Sequence, residues 1–72
     1  MEVLLKRGVK RYFSGQVVEL RQILYFIWSS LSDSDKRNLG KEVYYDVLQG
    51  KYSNIISIHH VSRNNHAYYQ II

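Results

Sequence analysis

The sequence predicts a small α+β domain with two closely spaced helices in its middle and a β-hairpin at its C-terminal end. Three observations carry this. Apolar residues recur at helical spacing between Leu20 and Leu31. The stretch "LSDSDKRNLGKEVYYDVLQGK" at 31–51 has a cap, an apolar stripe and a stop. Beyond it the period changes, and β-branched and aromatic residues gather on both sides of "SRNN". With 72 residues the chain makes one domain, near the lower size limit at which a single core supports folding.

Residues 1–13 mix apolar and basic positions around Gly8. "VLLKRGVKRYF" suits a basic strand, a tight hairpin turning at Arg7-Gly8, or a mobile basic arm. "SGQ" at 14–16 marks a turn. A first helix is expected near residues 18–31, where Leu20, Ile23, Leu24, Ile27 and Leu31 share helical spacing and Tyr25, Phe26 and Trp28 add apolar surface elsewhere. A segment apolar nearly all round belongs at the centre of so short a chain.

"SSLS" interrupts the pattern, and a second helix is expected over 33–49. Ser32 is its cap, Asp33 and Asp35 suit the positive end of the helix dipole, and Gly50 stands at the stop. Leu39, Val43 and Val47 form its inner stripe, and both Trp28 and Leu39 are expected to be buried. "NIISIHHV" and "HAYYQII" then read as two strands of a hairpin between about 55 and 72. A two-residue turn at Asn64-Asn65, or a four-residue loop closed by Ser62 and Ala67, pairs His60 with Tyr69 and Ile58 with Ile71 on the core face. Val61 with Tyr68, His59 with Gln70, and Arg63 with His66 then share the other face. Two helices in close succession followed by a hairpin is the order of a compact winged helix, so the expected architecture is winged-helix-like.

Several features match, in the same order, a family of small uncharacterised proteins of bacteria and their phages. They are "SGQVVELRQIL", Trp28, "DKRNLGKEVYYDVLQG" with its Leu39-Gly40 pair, and "NNHAYY", covering residues 14–70. The chain resembles that family, and the resemblance implies a winged-helix-like fold without an established activity.

Composition bounds the chemistry. No cysteine is present, which removes disulfides and thiolate metal sites and fits a reducing compartment. The longest apolar run, "ILYFIW", has six residues where a membrane span needs roughly 20. A soluble, cytoplasmic protein without a membrane partner is expected. The formal charge of +4 and pI near 9.5 favour anionic partners. Four of the ten cations, Lys6, Arg7, Lys10 and Arg11, fall within "KRGVKR".

Catalysis finds no support, because no pair of carboxylates converges by spacing and no serine lies in a nucleophile motif. No cofactor is expected, since Gly15, Gly40 and Gly50 are isolated and make no phosphate-cradling loop. A metal site is unexpected too, because adjacent His59 and His60 in a strand should point to opposite faces.

Binding remains. The outer face of the second helix carries Asn38, Lys41, Tyr45 and Gln49, side chains able to contact bases or phosphates. The cations of 6–11 would attract a phosphate backbone, and Arg63 and His66 flank a hairpin tip that could touch it. The expected function is therefore nucleic-acid binding, with double-stranded DNA as the partner and regulation as the role. The alternative is a protein-interaction module, such as a small inhibitor or adaptor, using exposed aromatics such as Tyr45 and Tyr68. A second copy of the chain is a further candidate partner, since domains this small often gain stability by oligomerising.

Overall fold

The computed structural model describes all of residues 1–72. Its first element is a helix, α1 (Glu2–Val9), which corrects the strand or mobile arm suggested for 1–13. Met1, Leu4, Leu5, Gly8 and Val9 repeat at three- and four-residue intervals, so one side of a helix turns them all toward the core. On the outer side Lys6 pairs with Glu2 one turn earlier at 3.5 Å. Gly8 is a packing contact instead of a turn. A Cβ there would overlap the carbonyl oxygen of Ile23 and stand 2.8 Å from its carbon. Beyond α1, the Tyr12 hydroxyl donates to the Gln22 carbonyl at 2.8 Å and ties the segment down.

The helix expected over 18–31 is three elements: strand β1 (Val17–Glu19), then helices α2 (Leu20–Ile23) and α3 (Tyr25–Trp28). Val17 and Val18 suit a strand, and long-range pairing with the C-terminal strand decides the matter. Glu19 starts α2 through a capping box with Gln22: each side chain accepts from the other residue's amide. At Leu24 the backbone leaves helical geometry (φ −94°, ψ 30°), and the chain bends before α3.

Helix α4 (Asp33–Leu48) begins where the cap is expected, with the Ser32 hydroxyl accepting from the Asp35 amide at 3.1 Å. It ends before Gly50, whose φ of +80° an L side chain rarely adopts. Val43 is fully buried, but Leu39 is only half-buried, and so is Trp28. Both fall short of the burial expected for them: Trp28 lines an open cleft, and Leu39 packs at the margin of the core.

The hairpin joins β2 (Ile56–Val61) to β3 (Ala67–Ile71), and β1 pairs with the other edge of β3, giving a three-stranded antiparallel sheet of order β1-β3-β2. The expected register is corrected. The loop has three residues, 63–65: the Ser62 amide donates to His66 O at 2.8 Å, the Asn65 amide donates to Ser62 O at 3.0 Å, and Asn65 alone takes a left-handed φ of 62°. Val61 therefore faces Ala67, and His60 faces Tyr68. A bulge at His59 then shifts the ladder again, so that Ile58 faces Tyr69, Ser57 faces Gln70 and Ile56 faces Ile71.

Leu5 of α1, Ile23 and Leu24, Val43 of α4, and Ile56 and Tyr69 of the sheet meet in the core, all with 1% exposure or less. The sheet forms one layer and the helices cover it. No helix is long and apolar enough to cross a membrane.

Candidate functional site

The helical form of the N-terminus changes the meaning of its charges. In a strand Lys6 and Lys10 would lie opposite Arg7 and Arg11. On α1 and its first turn beyond, the four follow i, i+1, i+4 and i+5 and share one side. Arg7 lies over the Phe26 ring at 4.6 Å and Arg11 over Tyr25 at 4.4 Å. Cation–π contacts of this kind hold a guanidinium in place while leaving its charge available.

The α4 stripe is exposed at Asn38, Lys41, Tyr45 and Gln49, with Tyr45 60% accessible. Of the two carboxylates that border it, Asp46 turns inward. It accepts from the Tyr52 hydroxyl at 3.3 Å and meets the Lys51 ammonium at 3.7 Å. Burial first, and Asp46 next among the groups that reinforce it, push the Tyr52 phenol above its ordinary value, with Lys51 opposing. Glu42 stays exposed.

At the hairpin, Arg63 is exposed at the tip. His66 instead reaches back, with Nδ1 3.8 Å from Glu19 Oε1. The other oxygen of the same carboxylate accepts from Arg21 Nε at 2.9 Å. This small network fastens the hairpin base to the junction of β1 and α2.

Between that network and the N-terminal half of α4 lies a cleft of about 660 Å³. Helix α4 lines it with Lys36, Arg37, Gly40, Lys41 and Tyr44. Leu20 and Tyr69, both buried, form its floor, and Trp28 and Ala67 complete the apolar lining. A shallower hollow lined by Arg11, Arg21, Trp28 and Lys36 adjoins it. Arg21, Trp28 and Lys36 line both, so the basic residues Arg11, Arg21, Lys36, Arg37 and Lys41 form one continuous surface. Glu19 and Asp33 are the acids on it. Burial, reinforced by Tyr44, pushes the Tyr69 phenol at the cleft floor up to about 12.

The expectation that His59 and His60 cannot converge is corrected. The bulge breaks the strand's alternation, and the two rings approach with Nδ1 atoms 2.7 Å apart. His60 also stacks on Tyr68, with centroids 4.6 Å apart and planes 8° from parallel. No group of three or more His, Cys, Asp or Glu side chains is placed to hold a metal ion.

Of the residues singled out from sequence, the structure brings Lys41, His66 and Arg11 onto the cleft and its adjoining hollow. Lys6, Arg7, Lys10, Asn38, Tyr45, Gln49 and Arg63 lie outside both. Arg21, Lys36, Arg37, Gly40 and Tyr44 were not foreseen. A signal for four of the cleft residues existed, because Asp33, Arg37, Gly40 and Tyr44 follow i, i+4, i+7 and i+11 and form a second stripe beside the first.

A family model described as "Domain of unknown function (DUF1413)" matches residues 6–70. The chain belongs to the DUF1413 family. The match begins within α1 and runs almost to the end of β3, so it spans the N-terminal cations, the cleft and the hairpin together. Neither a curated protein nor a solved structure matches the chain.

Proposed function

We propose that this DUF1413 member is a winged-helix-like, nucleic-acid-binding protein that engages double-stranded DNA through α4, the β2–β3 hairpin and the basic surface between them. The element order supports the winged-helix-like reading: a helix, a short strand, short helices, one long exposed helix, and then a hairpin whose second strand pairs with the first strand. In those terms α4 is the recognition helix and the hairpin is the wing.

One observation carries the functional reading. Arg11, Arg21, Lys36, Arg37 and Lys41 come from three separate stretches of chain and merge into a single basic face. Cations gathered this way displace counterions from a phosphate backbone and give salt-dependent attraction. Arg63 extends the reach at the hairpin tip, Lys6, Arg7 and Lys10 extend it along α1, and Asn38 and Gln49 supply amides suited to base edges. The reading places the protein in the cytoplasm in a regulatory role, without catalysis.

The test is a titration of fluorescent double-stranded DNA by anisotropy between about 50 and 200 mM salt, where such contacts respond strongly. Five phosphate contacts predict a slope of log Kobs against log salt of about −4.5, from about −0.9 per contact. Arg37→Gln combined with Lys41→Gln should flatten that slope by about 2. If no binding is detected at the lowest salt, the reading is wrong.

A second reading has its own observation. Tyr45 and Leu48 are neighbours on α4, exposed by 60% and 61%, at the end of the helix remote from the cleft. In that reading the chain is a protein-interaction module, and the pair anchors a partner or a second copy. Binding that ignores salt and collapses with Tyr45→Ala would favour it.

A further inference from the structure

We infer that the cleft beside α4 is a binding site for a small aromatic anion: a flat ring system carrying a carboxylate or similar acidic group. Its size suits such a ligand, since about 660 Å³ lies within the roughly 300–1,000 Å³ of small-molecule sites. Its lining matches the two halves of the ligand. Trp28 and Tyr44, both half-buried, offer aromatic surface above the buried Tyr69, while Lys36, Arg37 and Lys41 stand on the α4 side. Arg21 is already held by Glu19 and the Lys36 ammonium lies over the Trp28 ring at 5.8 Å, so Arg37 and Lys41 are the cations best placed to meet an anion.

Gly40 is a second and independent observation. Glycine inside a helix costs roughly 0.5–1 kcal/mol relative to alanine and needs a reason. At Gly8 the reason is the Ile23 backbone. At Gly40 a Cβ would meet nothing within 4 Å. No part of the protein requires a glycine there, and the residue lines the cleft. Its missing side chain leaves the α4 backbone open to close approach by a ring lying across it. The inference holds whether or not the surrounding face binds DNA.

Trp28 is the single tryptophan, so one indole N–H resonance reports directly on the cleft. Titration of the labelled protein with 2-naphthoate should shift that resonance saturably. The uncharged 2-naphthamide should bind at least about tenfold more weakly, as expected when a charge-assisted hydrogen bond is lost. Arg37→Gln with Lys41→Gln, both on exposed helix surface, should weaken 2-naphthoate by a similar factor. Gly40→Leu should abolish the shift while the rest of the spectrum remains that of the folded protein. Absence of a saturable shift, equal binding of acid and amide, or equal binding by the charge variant would each overturn the inference.

Discussion

Gly8 and Gly40 occupy the same kind of position and face opposite surroundings. Each lies inside a helix, where glycine is the poorest ordinary choice. Gly8 has the carbonyl group of Ile23 directly against it, whereas Gly40 looks into open space. The region around Gly8 is closed: α1 is drawn onto α2 until only a hydrogen atom fits between them. The region around Gly40 is held apart, with α4 standing away from the hairpin base and the half-buried rings of Trp28 and Tyr44 lining the gap. The difference teaches that a glycine in a helix has two distinct uses, contact with the protein's own backbone or access for something else. Neighbouring atoms tell them apart, and sequence does not.

The largest expected effect comes from closing the tight region further. Gly8→Ala should destabilise the domain by about 3 kcal/mol or more, the upper end for overpacked sites, because backbone atoms would have to move. Urea denaturation measures it, and a midpoint equal to the parent's would break the comparison at its closed end. Next in size is an alkaline effect at the floor of the open region. Tyr69 titrates near 12 when folded and near 10 when unfolded, so its contribution is fully present below pH 10 and is lost as the pH rises toward 12. That loss should approach about 2–3 kcal/mol, at about 1.4 kcal/mol per pH unit. Tyr69→Phe should remove most of this pH dependence in denaturation curves. The smallest effect has the opposite sign. Gly40→Ala should stabilise the protein by roughly 0.5–1 kcal/mol, because the methyl group meets nothing and the helix gains propensity. A loss of stability there would show that the two glycines are alike after all.

Helix α4 was legible in the sequence because its signals are local: the Ser32 cap, the Asp residues of its first turn, the Leu39–Val43–Val47 stripe and the Gly50 stop all lie within one stretch. The existence of a hairpin was legible for the same reason. Its register was not, because one residue of loop length decides it, and Asn65 takes the left-handed conformation without Asn64. Strand β1 depends on β3, about 50 residues further along, and no local pattern states that. Gly8 read as a turn because its partner, Ile23, is remote in sequence. The stripe from Asn38 to Gln49 is exposed as expected, whereas the cleft needs residues from α2, α3, α4 and the hairpin, of which Lys41 and His66 alone had been singled out.

The bulge at His59 has a consequence for the protein at high concentration. Strand β2 is an outer strand of the sheet, and its free side could recruit another chain into a growing ladder. The extra residue twists that strand and interrupts its row of evenly spaced amides and carbonyls, so a flat incoming strand finds no continuous template. On the opposite border, β1 offers three residues, too few to nucleate such growth. The sheet is thus guarded on one side by irregularity and on the other by brevity, and the chain can keep an aromatic-rich hairpin without polymerising through it.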